Sequence, residues 1–92
     1  MVGHELCTLL HTLAVFHLNQ GQAQLAQIHL QHVVMKEPQR GSSWLHLAYA
    51  DLLLNDLSHA SESMRKFAAL GQGNASHADQ TLIDFLSPRV PF

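Results

Sequence analysis

Slid against itself so that Leu10 falls on Trp44, the sequence also places Leu13 on Leu47, Ala14 on Ala48, Ala26 on Ala60 and Leu30 on Met64. The matches agree in size as well as polarity, with alanine falling on alanine where two helices would approach closely. A period of this length marks a supersecondary unit that cannot bury its apolar face alone and must stack on a neighbour. That constraint excludes a chain of independent pieces joined by the glutamine-rich stretch "HLNQGQAQLAQIHLQ".

Each unit reads as two helices. In the first, Leu6, Leu9, Leu10, Leu13, Phe16 and His17 recur at three- and four-residue steps and are expected to share one helix face. After Gly21 comes a second apolar set, Ala23, Ala26, Leu30, Val33 and Val34. Glycine between two periodic segments is the expected helix stop, because it takes a positive φ without steric cost. Pro38 closes the second helix, with Lys36 near its negative end. In the second unit, Ser42 or Ser43 is expected to cap a helix from Trp44 to about Asn55. Asn55 stands where Gly21 stood, and asparagine is a frequent substitute in the left-handed conformation. A further helix carries Ala60, Met64 and Phe67 and stops around "GQGN". Ser76 and Asp79 suggest a capping box for a last helix with Ala78, Leu82, Ile83, Phe85 and Leu86, ended by Pro88.

Ninety-two residues suit one domain with a small core. Cys7 is the sole cysteine, so no intrachain disulfide forms; a lone thiol fits a reducing compartment and packs as a small hydrophobe. The N-terminal apolar stretch has no preceding Lys or Arg and no cleavage-site pattern, so no signal peptide is expected. No run reaches the length of a membrane span. Net charge is −2, and the five scattered cations form no footprint for nucleic acid. From Met1 to Met35 the only charged side chain is Glu5. A solvated helical surface normally mixes Lys and Glu, so a surface without them suggests cover by another protein.

The second unit's Trp44, Leu47, Ala48, Ala60 and Met64, and the first unit's Leu10, Leu13, Ala14, Gly21, Ala26, Leu30 and Pro38, resemble the tetratricopeptide repeat. The chain departs from that pattern at His17 and Asp51, where tyrosine is usual, and the second unit lacks a closing proline. The resemblance implies an all-α fold of two tetratricopeptide-like helical hairpins plus a C-terminal capping helix. Repeat 1 would cover about 7–40, repeat 2 about 41–72, the cap helix about 75–87 and an extended tail 88–92. The sequence also looks like the small chaperones of bacterial type III secretion that hold the needle subunit. That resemblance implies a cytoplasmic protein cupping the amphipathic helix of the needle subunit, with a second small helical cochaperone completing a heterotrimer and preventing premature polymerisation. The alternative is a general scaffolding module in a larger assembly.

First helices of stacked pairs line the concave side of a repeat array. The groove is therefore expected from His11, Val15, Leu18, Leu45, Tyr49, Leu52 and Leu53, with Thr8 and Asn19 nearby, taking a helix by apolar anchors at i, i+3, i+4 and i+7. The competing expectation is that Leu82, Ile83 and Leu86 of the last helix fill this trough. Gln20, Gln24, Gln27 and Gln31 make an uncharged polar face suited to a second interface. Among eight histidines, His29 with His32 and His4 with Cys7 have a spacing that could chelate. Neither joins a recognised metal motif, so no metal or cofactor is expected. No phosphate loop or nucleophile elbow occurs and Cys7 has no activating partner, so no catalytic residue is assigned.

Overall fold

A computed structural model describes residues 2–71 and 76–92. Positions 72–75, which include the expected end of repeat 2 and start of the cap helix, lie outside the described residues. Five helices run through the described residues: α1 (Val2–Asn19), α2 (Ala23–Lys36), α3 (Gly41–Leu53), α4 (Leu57–Ala69) and α5 (His77–Leu86). No strand occurs among those residues. The fold is all-α, two helical hairpins followed by a C-terminal helix. α1 pairs with α2, α3 with α4, α2 joins the hairpins by packing on α3, and α5 lies against α3.

The two hairpin corners are built alike. Gly21 has φ 75° and Asn55 has φ 60°. At the first, Gln22 N–H donates to His17 C=O at 2.8 Å and Gly21 N–H to Leu18 C=O at 3.1 Å. At the second, Asp56 N–H donates to Asp51 C=O at 2.9 Å and Asn55 N–H to Leu52 C=O at 3.0 Å. This paired pattern around one left-handed residue is a Schellman stop, and each of its positions in the first corner recurs one repeat later in the second. Asp56 then caps α4, its side chain accepting from His59 N–H at 3.2 Å.

The start of α3 differs from the sequence expectation. The helix begins at Gly41, with Arg40 at the capping position and no side-chain cap. Arg40 is held in the connecting turn by Glu37, with Nη2 2.6 Å from Oε1, and Trp44 Nε1 donates to Pro38 C=O at 2.7 Å. The two serines are used elsewhere. Ser43 is buried beside His11 Nδ1 at 2.8 Å, and Ser42 Oγ donates to Asp79 Oδ1 at 3.0 Å. At α5, Ser76 Oγ accepts from Asp79 N–H at 3.1 Å; the Asp79 carboxylate accepts from Ser42 and so ties the helix to α3.

Two apolar clusters hold the elements together. Ala14, Leu18, Ala26, Leu30, Val34, Leu47 and Ala50 join α1, α2 and α3. Leu45, Ala48, Ala60, Met64, Leu86 and Val90 join α3, α4, α5 and the C-terminal segment. Tyr49 packs against both. The repeat-paired alanines Ala14, Ala48, Ala26 and Ala60 are wholly buried, as close helix approach requires. The tail is not extended throughout. Residues 87–89 form a turn, Val90 N–H donates to Leu86 C=O at 2.8 Å, and the Val90 side chain enters the second cluster beside Leu86.

α1 also departs from its pattern. Leu6, Leu9, Leu13 and Phe16, expected on an inward face, are 47%, 66%, 41% and 55% exposed. The buried side is Cys7, Ala14 and Leu18. Periodicity identifies residues that share a face, but both faces of α1 are apolar, and only one meets α2 and α3.

Candidate protein-binding groove

α1, α3 and α5 lie side by side with a groove of about 330 Å³ between them. Val15, Leu18 and Asn19 come from α1, His46 and Tyr49 from α3, and Ala78, Thr81, Leu82 and Phe85 from α5. Each residue reaches the groove for a local reason. Val15 and Tyr49 stand at equivalent repeat positions on the first helix of each hairpin. α5 turns Leu86 into the core and leaves Leu82 and Ile83 half-buried against the second cluster, so its next face becomes the opposite wall. The C-terminal helix therefore forms one side of the trough and leaves the rest open.

Tyr49 and Phe85 form the groove's aromatic corner, and Arg89 places its guanidinium carbon 4.0 Å from the Phe85 ring centroid. Arg89 Nη1 also donates to Phe85 C=O at 2.7 Å. The rim near α3 is polar. His11 and His46 meet edge to face at 4.9 Å, and His46 Nδ1 lies 2.7 Å from Ser42 C=O. Burial, then the neighbouring His46 and Arg40, push the His11 pKa down to about 4, partly opposed by Asp79. His11 is thus neutral at pH 7.

Of the residues the sequence suggested for the groove, Val15, Leu18 and Tyr49 come together. His11 sits beside it through His46. Leu45 is 0% exposed in the second cluster, because α3 is the central helix and has neighbours on most of its circumference. Leu52 also packs against that cluster, and Leu53 is exposed at the end of α3 without lining the groove. Leu82, expected to fill the trough, lines its wall instead; Ala78, Thr81, Phe85 and His46 had no signal in the repeat spacing.

The glutamine face divides similarly. Gln20, Gln24 and Gln31 are exposed. Gln27 is partly buried and donates through Nε2 to Asp51 Oδ1 at 2.7 Å, joining the hairpins. Ser63 Oγ approaches Asp51 Oδ2 at 3.4 Å. Burial raises the Asp51 pKa, opposed by the bond from Gln27. Every buried side-chain nitrogen and oxygen among the described residues has a partner.

The histidine pairs do not converge on a common centre. His29 stacks on His17 at 5.3 Å, His4 Nδ1 lies 2.9 Å from Glu37 Oε2, and Cys7 is buried. No group of three His, Cys, Asp or Glu side chains is arranged to hold a metal ion among the described residues. No helix there is long and apolar enough to cross a membrane. No family model matches the chain, and no curated protein or solved structure matches it either.

Proposed function

We propose that this protein is a cytosolic chaperone that captures an amphipathic helix of a smaller, self-associating protein in the groove between α1, α3 and α5. The observation that carries this reading is an open groove whose lining includes Val15, Leu18, Tyr49, Leu82 and Phe85. Its volume is at the lower end of the roughly 300–1,000 Å³ typical of ligand pockets. It therefore accepts a few apolar side chains from a helix lying across the rim, rather than a whole helix. Each large side chain so buried supplies about 1.5–3 kcal/mol before ordering costs.

The finer reading draws on the repeat resemblance. The repeat period, the matched corners at Gly21 and Asn55 and the groove on the first-helix side all support a tetratricopeptide-type array. The resemblance to needle-subunit chaperones supports a bacterial type III secretion needle subunit as cargo, held before assembly. On this reading, the exposed Gln20, Gln24 and Gln31 offer an uncharged surface for a second small helical cochaperone.

The experiment is co-expression with a candidate needle-type subunit, followed by light scattering on the purified mixture. The cargo should stay soluble in a stoichiometric complex with the wild-type chain and polymerise when Val15→Asp replaces it. Equal protection by both proteins would remove the groove from the function.

A further inference from the structure

The face of α1 opposite the core is a continuous apolar stripe of Leu6, Leu9, Leu13 and Phe16, all exposed. Its counterpart on the second hairpin explains what such a face is for. One repeat later, Leu9, Leu13 and Phe16 correspond to Ser43, Leu47 and Ala50. Those three are buried, with Leu47 and Ala50 packed against Ala26, Leu30 and Val34 of α2. The α1 stripe is thus the leading face of the first hairpin, in the register that seats one hairpin on another. Its four side chains are 41–66% exposed; Phe16 meets the ring of its neighbour His17 edge to face at 5.8 Å, and Leu6 borders α2 beside His32 and Lys36.

The opposite end of the stack is closed. The trailing face of the second hairpin, Ala48, Ala60 and Met64, is covered by Leu86 and Val90. Copies therefore cannot add head to tail through leading and trailing faces unless α5 is displaced, so an open filament through these faces is blocked. Two leading faces remain free to meet each other.

We infer that the free protein is a two-fold dimer in which the α1 stripes of two copies pack against each other. An antiparallel crossing sets Leu6 of one copy opposite Phe16 of the other, and Leu9 opposite Leu13. Charge permits it: a two-fold contact sets one face against a copy of itself, which a face of a single charge sign resists. Here Glu5 is the only Asp, Glu, Lys or Arg from Met1 to Met35, and the crossing keeps the two Glu5 carboxylates at opposite ends. Area permits it as well. The four side chains expose roughly 400 Å² per copy, so a dimer buries about 800 Å² from them alone, near the roughly 1,000 Å² of a specific interface once flanking atoms join. Leu25 is also exposed, on α2, the helix that pairs with α1.

The test is sedimentation equilibrium of the full chain without cargo. The wild-type protein should sediment at twice the chain mass. Leu13→Glu should weaken self-association by about 30-fold or more, the effect of losing a central interface residue, with helical circular dichroism unchanged. Phe16→Ser, a milder change at the same face, should weaken it in the same direction. Phe85→Asp, in the groove, should leave the dimer intact while removing helix capture, which separates this inference from the chaperone reading. A wild-type monomer, a concentration-dependent ladder of larger species, or a dimer indifferent to both α1 variants would overturn it. So would a chain that stays monomeric until a different helical protein covers the stripe.

Discussion

Tyr49 and Phe85 meet edge to face with ring centroids 5.7 Å apart and an interplanar angle of 82°. This contact joins the middle helix to the last one at the groove, and Arg89 braces the Phe85 ring through a cation–π contact. Such contacts are worth about 0.5–1 kcal/mol at exposed sites. Arg89→Ala should therefore weaken helix capture only about two- to fivefold, by letting the wall move, while the thermal midpoint falls by a few degrees at most. Fluorescence titration alongside thermal melts checks both.

The corners make a second prediction. Asn55 holds φ 60°, a conformation that costs an ordinary L-residue roughly 1–2 kcal/mol. Asn55→Gly should be neutral to stabilising, and Asn55→Ala should destabilise by about 1 kcal/mol in urea unfolding. At Gly21 a Cβ would meet nothing within 4 Å. Gly21→Ala should accordingly cost about 1 kcal/mol from backbone conformation alone, with no packing defect added.

Asp51 is a buried carboxylate at 1% exposure, accepting from Gln27 and Ser63. Because burial raises its folded pKa above the ordinary 3.8, the unfolded chain gives up this proton more readily. Stability from this group falls as pH rises from 3.8 through the folded value, so the charge is a cost at neutral pH. Asp51→Asn keeps an acceptor for Gln27 and removes the charge, and should raise the pH 7 thermal midpoint slightly. Asp51→Leu leaves Gln27 and Ser63 unpartnered and should cost about 1–3 kcal/mol.

Acid should act mainly through His11. Its folded pKa of about 4 lies below the ordinary 6.5, so between those values the unfolded chain binds the proton more readily. Stability from His11 is present above 6.5 and is lost as pH falls towards 4. Since part of the ring reaches solvent, the loss is on the order of 1–2 kcal/mol after screening. His59 shifts the other way, raised by its bond to Asp56; its contribution is already complete below 6.5 and does not mask the effect. Asp51, with its raised folded pKa, gains stability as pH falls and opposes the loss, so denaturant titrations from pH 7 to 4 in the Asp51→Asn background should show it, and His11→Gln should flatten it.

Much of this architecture was legible in the residues. Alanine pairs one repeat apart lie where helices touch, and Gly21 and Asn55 stop two helices in the same way. The side of α1 was not legible, because Leu6, Leu9, Leu13 and Phe16 are as periodic as any core stripe, and periodicity carries no information on what covers a face. Leu45 looked available because the repeat places it beside Tyr49; it is buried because α3 is surrounded. The wall of Ala78, Thr81 and Phe85 depends on α5 docking, a contact between segments distant in the chain that local spacing cannot encode. Ser42 and Ser43 have the chemistry of caps, yet tertiary partners at Asp79 and His11 take their hydroxyls.

The most direct measurement of helix capture is a titration of a labelled amphipathic peptide, with Leu at i, i+3 and i+7, into four proteins: wild type, Val15→Asp, Phe85→Asp and Leu13→Glu. Saturable binding should appear with wild type and Leu13→Glu, and weaken at least tenfold with Val15→Asp and Phe85→Asp, all four keeping their helical content. Binding by the two groove variants as tight as that of wild type, or loss confined to Leu13→Glu, would contradict capture between α1, α3 and α5.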